Sequence, residues 1–217
     1  ASQWVAAAVA AGPGDVVADV CAAPGGKATF LAERGAHVLA ADVRPGRVGL
    51  VAANAARVAV ADRLLPLVAD AAAPPIRPAS LDAVLVDAPC SGLGVLHRRA
   101  DARWRVAPDD VARLAELQRR ILAAAIPLVH PGGTVAYSVC TVTRAETLDH
   151  DEWVAAAHPE LEPLGVPDGK DLPGAVWRAG SRQIEDLAPA APSLQSRRIR
   201  PRRSAAGDAA PRPCRAP

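Results

Sequence analysis

Five short apolar runs alternate with stretches of helical pattern along most of this chain. The runs are residues 15–20, 37–42, 64–70, 81–87 and 133–139, and the helical patterns cover 2–11, 25–33, 45–58 and 108–128. Because the runs are almost continuously apolar, we expect strands that are buried on both faces. This order predicts an α/β fold, a mostly parallel sheet with helices on both faces.

A polar or reactive residue follows each predicted strand at its carboxyl end, the edge where doubly wound sheets bind their ligands. These residues are Cys21 in a small-residue loop, then Asp42, Asp70, Asp87 with Cys90, and Cys140. Because the carboxyl ends of parallel strands meet at one edge, the sequence predicts a single site there.

The loop after the first strand favours a nucleotide-like ligand. Small residues at the start of a helix let backbone N–H groups approach a bound molecule closely. The residues of this loop are Cys21, Ala22, Ala23, Pro24, Gly25 and Gly26. Their spacing is not the GxGxxG of dinucleotide-binding loops, and core packing explains the Cys21 side chain as well as a function does.

Two carboxylates extend this predicted ligand site. Asp42 ends the second strand, where an acidic side chain can accept hydrogen bonds from both hydroxyls of a ribose. The alternative for Asp42 is a helix cap. Asp70 follows the third strand and could hold an adenine amino group, and its alternative is a residue that forms the turn before "AAAPP".

Three motifs resemble those of a known family. "DVCAAPGGK" at 19–27, "DAPCSGLGVLHRRADARW" at 87–104 and "YSVCT" at 137–141, in this order, are similar to the RsmB/Nop/Sun family of RNA cytosine carbon-5 methyltransferases. Within that family the likeness is to the bacterial small-subunit ribosomal RNA enzymes. The resemblance implies a Rossmann-like class I methyltransferase fold, S-adenosylmethionine as cofactor and RNA, with ribosomal RNA as the expected class, as substrate.

The resemblance also implies roles for single residues. Cys140 is the nucleophile, Cys90 assists release of the methylated product, Asp87 orients or protonates the ring near nitrogen-3, and Lys27 lies near the cofactor or the base. Chemistry agrees, since carbon-5 of cytosine becomes nucleophilic only after a thiolate adds at carbon-6. One departure is Val139, where the family usually has Thr before the cysteine.

Other interpretations compete with this one. A single cysteine is more often a small buried hydrophobe, although two at corresponding strand ends favour function. The chain could be a noncatalytic RNA-binding or assembly module that keeps the motifs. A nicotinamide-dependent oxidoreductase is disfavoured, because its chemistry has no use for two cysteines at this edge.

The segment "HRRADARWR", residues 97–105, is rich in arginine just beyond Cys90. Arginines can bind phosphates, and Trp104 can stack on an unpaired base. The alternative is a solvated basic loop whose tryptophan covers the core. A base in an RNA helix would have to be presented unpaired or flipped out to reach the site.

We expect three regions: a catalytic domain at 1–165, a C-terminal segment of uncertain structure at 166–190, and a disordered tail at 191–217. The tail holds seven Arg, five Pro and one Asp; it could bind phosphates or be a solvated end. We expect the RNA-binding domain that usually precedes the family's catalytic domain, and the last sheet strands, to be absent.

The cysteine pattern and the hydropathy of the chain indicate whether it binds a metal, crosses a membrane or is exported. The four cysteines form no CxxC and no His/Cys cluster, so we expect no metal site. No export signal or bilayer-spanning run is visible, and we expect a cytoplasmic protein. The sequence leaves the target nucleotide and the oligomeric state open.

Overall fold

The computed structural model of the chain describes residues 2–96, 104, 106–164 and 195–201. The helices are α1 (Ser2–Ala8), α2 (Gly26–Glu33), α3 (Pro45–Arg57), α4 (Pro108–Ala125) and α5 (Leu148–Ala157). The strands are β1 (Val16–Asp19), β2 (His37–Asp42), β3 (Leu64–Val68), β4 (Leu81–Asp87), β5 (Val129–Val139), β6 (Leu161–Leu164) and β7 (Gln195–Pro201). Short 3-10 turns lie at Leu93–Val95, Ile126–Leu128 and Arg144–Glu146.

The strands form one sheet in the order β3-β2-β1-β4-β5-β7-β6. Strands β1 to β5 are parallel, and β7 is antiparallel to both β5 and β6. The chain runs outward from β1 to β3 and then crosses to β4 on the other side of β1. The strand order therefore reverses between β1 and β4, and ligands of such sheets bind beside this reversal.

Helices cover both faces of the sheet. On one face α1, α2 and α3 pack against β-strand residues that include Val17, Val38 and Leu85. On the other face α4 and α5 pack against Ala18, Val84 and their neighbours. Adjacent residues of one strand thus enter opposite cores, as the pleat requires. The predicted mostly parallel sheet with helices on both faces is confirmed.

The boundary between α4 and β5 differs from the predicted one. The helix ends at Ala125 and β5 begins at Val129, so the "HPGG" segment lies inside the strand instead of before it. The register shifts there, since Leu81 pairs with Val129 but Ala83 pairs with Thr134. A Cβ at Gly133 would lie only 2.7 Å from the Asp82 carbonyl oxygen. This bulge brings two backbones so close that glycine is required.

The structure describes residues 195–201 of the predicted tail at 191–217, and it contains strands at the place where the last sheet strands are expected to be missing. These seven residues form β7, whose backbone pairs with Val135–Val139 of β5 and with β6. An arginine-rich composition argues against a buried core, but a strand that lies between two others is held by backbone hydrogen bonds to both, whatever its side chains. Residues 165–194 and 202–217 lie outside the described residues.

Candidate active site

The loop between β1 and α2 has the conformation that the small residues predict. The Ala22 N–H donates to the Ala41 carbonyl oxygen of β2 at 2.8 Å, and the Gly25 N–H donates to Ala22 at 2.7 Å. Gly25 has a φ of +107°, and a Cβ there would lie 3.1 Å from the Cα of Val51. Only glycine fits this position, so α2 begins directly after a tight, fixed turn.

Two side chains of α3 hold this loop from one side. Arg47 donates from its guanidinium to the Ala23 carbonyl oxygen at 2.7 Å, and Asn54 donates from its amide to the Pro24 carbonyl oxygen at 2.8 Å. The sequence analysis missed both residues. The spacing of seven places them two helical turns apart on one face, which is the signal that could have found them.

Asp19, at the end of β1, is a further residue that the sequence analysis missed. It is fully buried. One carboxyl oxygen accepts the Cys21 N–H at 3.3 Å, and the other receives no hydrogen bond from the described residues. Burial, with repulsion from Asp87, raises the pKa of Asp19 to about 7, and Lys27 opposes this shift. Asp19 therefore keeps unused acceptor capacity next to the loop.

Lys27 and Asp87 come together as a pair. The Lys27 Nζ donates to the Asp87 Oδ2 at 2.5 Å, and both side chains are mostly buried. Lys27 lies in the first turn of α2, and Asp87 ends β4, so the pair spans the point where the strand order reverses. Both charges act on Cys140, because Asp87 raises and Lys27 lowers the pKa of that thiol.

Asp42 and Asp70 lie at one corner of the edge, since the Ala69 N–H donates to the Asp42 carbonyl oxygen. The Asp42 carboxylate is buried and accepts the Arg44 N–H at 3.0 Å, just before α3. Asp70 is exposed and accepts the Ala72 N–H at 2.9 Å. These contacts fit the helix-cap alternative for Asp42 and the turn alternative for Asp70. A ligand contact of either stays a prediction.

Cys90 and Cys140 lie in direct contact, with their Sγ atoms 3.3 Å apart. The Cys140 N–H also donates to the Cys90 Sγ at 3.3 Å. This contact follows from the sheet, because β4 and β5 are neighbours and Asp87 lies opposite Ser138 in the register. Both cysteines are half-buried.

The two thiols differ in acidity. Either sulfur can donate in the hydrogen bond between the two thiols. With the Cys90 thiol as the donor, this bond lowers the pKa of Cys140 to about 7 against the opposing effects of burial and of Asp87. The same hydrogen bond, together with burial, raises the pKa of Cys90. Burial and the nearby Asp19 raise the pKa of Cys21. Among these three cysteines, Cys140 is therefore the one that forms a thiolate near neutral pH.

A buried carboxylate, Glu146, lies beneath the cysteine pair, and the sequence analysis missed it. Its Oε1 accepts the Ser91 N–H at 2.8 Å and the Gln118 amide at 3.0 Å. Its Oε2 accepts the hydroxyls of Ser91 at 2.5 Å, Thr143 at 2.7 Å and Thr141 at 3.0 Å. Burial alone would raise the pKa of Glu146, but these donors outweigh it and hold the pKa below its ordinary value.

Gln118 of α4 extends this network. Its amide nitrogen also donates to the Pro89 carbonyl oxygen at 2.8 Å, and its oxygen contacts the Tyr137 hydroxyl at 3.1 Å and the His150 ring at 2.8 Å. Burial lowers the pKa of His150 to about 4. Gln118 lies at helical spacing from buried Ala115 and Leu122, and a polar residue in that apolar stripe is the signal that could have found it.

Val139 replaces the threonine that the family usually has, and it packs in the core on the α4 side of the sheet. The loop that follows it is held by the Thr141 and Thr143 hydroxyls, which both donate to Glu146. A hydroxyl at position 139 is therefore not needed to fix the Cys140 loop.

Most of the basic segment 97–105 lies outside the described residues. Trp104 is described, and 79% of its surface is exposed, which contradicts the alternative in which its ring covers the core. Stacking on a base stays a prediction.

The described residues contain neither a cluster of metal ligands nor a membrane-spanning helix. No three His, Cys, Asp or Glu side chains there are grouped so that they could hold a metal ion. No helix within the described ranges has both the length and the apolar character that crossing a membrane requires.

Comparison with known families and proteins agrees with this geometry. The profile of the family described as 16S rRNA methyltransferase RsmB/F matches residues 6–172. The chain is 37% identical over 177 residues to a probable ribosomal RNA small subunit methyltransferase B of Synechocystis, covering 76% of this chain and 40% of the relative. It is 39% identical over 175 residues to the protein of that name from Bacillus subtilis, with 75% and 37% covered.

Solved structures share the fold. The crystal structure of PH0851 matches with a TM-score of 0.72 and 34% identity, covering 76% of this chain and 38% of that one. NSun6 from Pyrococcus horikoshii with SFG, an analogue of S-adenosylmethionine, matches with a TM-score of 0.74 and 23% identity, covering 94% and 52%. At that identity the second match supports the fold alone.

The chain spans about two fifths of the length of the relatives it matches. The expected methyltransferase fold is confirmed, and the expected cofactor, S-adenosylmethionine, is that of the matched family. By the extent of the profile match and by the sequence motifs it contains, the chain belongs to the 16S rRNA methyltransferase RsmB/F family.

Proposed function

We propose that this chain transfers a methyl group from S-adenosylmethionine to carbon-5 of a cytosine in RNA, with ribosomal RNA as the substrate class, through a covalent Cys140 adduct. The observation that carries the proposal is the contact between two thiols of unequal acidity at the sheet edge. Methyl transfer to an oxygen or nitrogen atom needs no thiol, whereas transfer to carbon-5 needs one that adds to the ring and then leaves.

The residues at the ends of β1 to β4 fit the cofactor. Asp19 has a buried oxygen without a donor among the described residues, and a carboxylate of this kind suits a ligand that carries ammonium and sulfonium charges. The tight turn at Gly25 lets backbone N–H groups lie close to a ligand. When bound, S-adenosylmethionine supplies the methyl group. The residues proposed to hold it are Asp19, Cys21, Ala22, Ala23, Pro24, Gly25, Gly26, Lys27, Asp42, Asp70 and Asp87.

Cys140 carries the chemistry on the base. Its thiolate adds to carbon-6, the sulfur–carbon bond forms, and the ring electrons move toward carbon-5, which becomes nucleophilic. After carbon-5 has gained the methyl group, its proton is removed, the sulfur–carbon bond breaks and the aromatic ring returns. A pKa of about 7 for Cys140 places the thiolate near its most effective range, since lower acidity leaves little thiolate and higher acidity weakens nucleophilicity.

Asp87 and Cys90 have supporting roles in this proposal. Addition at carbon-6 places negative charge on the ring around nitrogen-3, which a proton must neutralise, and Asp87, paired with Lys27, is assigned to orient that edge or to carry the proton to it. Cys90 touches the Cys140 sulfur, so it is near the bond that must break, and it is assigned to release of the methylated base.

The noncatalytic module is the second candidate. Loss of the last sheet strands would prevent turnover in such a module, and the presence of β7 beside β5 counts against it. The cysteines at 21, 90 and 140 are free, which fits the reducing cytoplasm in which the proposed reaction would take place.

A trapping experiment tests the proposal. Transcribed small-subunit ribosomal RNA that contains 5-fluorocytosine should arrest the wild type as a complex that resists denaturing gels, since fluorine cannot leave as a proton does. Cys140→Ala should form no complex and transfer no methyl group. Cys90→Ala should accumulate the complex even on ordinary RNA, because it adds to the base but does not release it.

Three results would contradict the proposal. Loss of the complex in Cys90→Ala with retention in Cys140→Ala would exchange the roles of the cysteines. Absence of any complex, together with absence of methyl transfer to that RNA, would favour the noncatalytic module. Methylation at a position other than carbon-5, read by nucleoside mass spectrometry, would overturn the assigned reaction.

A further inference from the structure

Glu146 is the most heavily bonded buried carboxylate among the described residues, and the mechanism above does not use it. Its side chain is fully buried. Its donors are neutral: a backbone N–H, an amide and three hydroxyls. Burying a carboxylate costs on the order of several kcal/mol unless hydrogen bonds from the protein replace those lost to water. Such an arrangement needs a reason beyond filling space.

The donors lie next to the two cysteines. Ser91 directly follows Cys90, and Thr141 directly follows Cys140, and both donate to the same Glu146 carboxylate. Their two hydroxyls also contact each other at 2.7 Å. The carboxylate thus joins two loops that are 50 residues apart in the chain.

Gln118 secures the other side of the Cys90 loop. Its amide nitrogen donates both to Glu146 and to the carbonyl oxygen of Pro89, the residue before Cys90. Both neighbours of Cys90 and one neighbour of Cys140 are therefore tied to one buried cluster. The positions of the two loops, and with them the 3.3 Å contact between the sulfur atoms, depend on this cluster.

We propose that Glu146 is a positioning residue that fixes the Cys90 and Cys140 loops relative to each other and so keeps the Cys90 thiol hydrogen-bonded to the Cys140 sulfur. The consequence for catalysis rests on the proposed function, whereas the arrangement of the thiols does not. Before addition to the base, this contact stabilises the Cys140 thiolate. After addition, it keeps Cys90 beside the sulfur–carbon bond that must break.

A role through charge alone would have the opposite sign. A nearby negative charge disfavours a thiolate, so removal of the Glu146 charge would lower the pKa of Cys140 if the field were the main effect. If Glu146 acts by holding the loops, its removal weakens the Cys90 hydrogen bond and raises the pKa of Cys140. The direction in which the pKa of Cys140 shifts therefore distinguishes the two roles. If Glu146 only stabilises the fold, its replacement leaves the pKa of Cys140 unchanged.

The experiment measures the rate at which iodoacetamide alkylates Cys140 in the full chain, resolved by peptide mass spectrometry. The range from about pH 5.5 to about pH 10 extends roughly 1.5 units beyond the expected midpoints on either side. Wild type should show a midpoint near 7. Glu146→Ala should move the midpoint toward the ordinary thiol value of about 8.5, which makes alkylation at neutral pH roughly tenfold slower. Glu146→Gln and Thr143→Val should give smaller shifts in the same direction.

Glu152→Gln is the matched control, because it removes a carboxylate that is exposed and pairs with Arg144 on the surface. Its alkylation profile should equal that of wild type. Cys90→Ala should raise the Cys140 midpoint directly, and adding Glu146→Ala to Cys90→Ala should cause little further change, since both act through one hydrogen bond.

Three results would overturn the proposal: a lowered midpoint in Glu146→Gln, an unchanged midpoint in folded Glu146→Gln and Thr143→Val, or fully additive shifts in the Cys90→Ala background. Should Glu146→Ala fail to show a cooperative melt, Glu146→Gln and Thr143→Val decide the matter. The alkylation requires no RNA, so its outcome is independent of whether the 5-fluorocytosine complex forms.

Discussion

The two halves of the sheet edge treat buried carboxylates in opposite ways. At the end of β1, Asp19 has one oxygen without a donor among the described residues, and its pKa is raised to about 7. Beside the end of β5, both oxygens of Glu146 accept hydrogen bonds, and its pKa is held below the ordinary value. Both side chains are fully buried, so burial does not explain the difference.

Two features explain it: Glu146 has more hydrogen-bond donors than Asp19, and the negative charge of Asp87 further raises the pKa of Asp19. A carboxylate that accepts several hydrogen bonds keeps its charge even without water, whereas one that accepts a single bond favours its protonated form. At the end of β1, the Asp19 carboxylate can therefore still accept a hydrogen bond from a ligand. Beside the ends of β4 and β5, the Glu146 carboxylate accepts hydrogen bonds from the loops that carry the two thiols. One half is suited to binding, and the other is organised in advance for a reaction.

Glu146→Ala should cause the largest change and should lower stability. The Ser91 N–H and the Gln118 amide would lose their acceptor, while the hydroxyls can turn toward one another. We expect the free energy of unfolding in urea to fall by about 2–5 kcal/mol. Glu152→Ala, at an exposed carboxylate, should change it by less than about 0.5 kcal/mol. If the two substitutions lower the free energy of unfolding equally, the hydrogen bonds to Glu146 do not stabilise the fold, and the contrast with Asp19 fails.

Asp42→Ala should weaken S-adenosylmethionine binding by about 1.5–3 kcal/mol, the scale of a lost hydrogen bond to a charged group. Asp62→Ala, an exposed aspartate near β3, should leave the affinity unchanged. Calorimetry on the folded variants would measure both. Unchanged affinity in Asp42→Ala would leave Asp42 with a structural role alone, through its contacts to the Arg44 N–H and the Arg47 guanidinium.

Asp19→Asn should raise stability, opposite to the effect at Glu146, while weakening cofactor binding. Because the folded pKa of Asp19 is raised from 3.8 to about 7, its contribution to stability is complete below pH 3.8 and is lost as pH rises through about 7. The cofactor-free variant should therefore melt at a higher temperature than wild type at pH 8.

At about pH 3, below the unfolded pKa of 3.8, the two proteins should differ little, because Asp19 is then protonated in both the folded and the unfolded wild type. Thermal melts at both values of pH check this. A variant that is less stable than wild type at pH 8 would mean that the second Asp19 oxygen is already satisfied, and the contrast between the halves would fail.

The sequence predicted the parts that depend on local pattern. The strands β1, β2 and β4 were placed within about two residues of their bounds, because apolar runs and turn residues act within a segment. The loop at 21–26 and the cysteines at 90 and 140 were found because small residues and thiols are rare at strand ends unless chemistry needs them. Family resemblance then assigned roles that periodicity alone does not give.

Only the tertiary structure decided which distant groups meet. The Glu146 donors come from α4, from the loop after β4 and from the loop after β5, up to 55 residues away in the chain, and their convergence depends on the register of β4 with β5. The same holds for β7, whose arginine-rich sequence is typical of a tail but whose backbone pairs with β5. Sequence determined each segment because torsional preference and hydrophobic periodicity are local. Packing decided the partners, because a buried hydrogen bond forms only after the sheet has brought its donor and acceptor together.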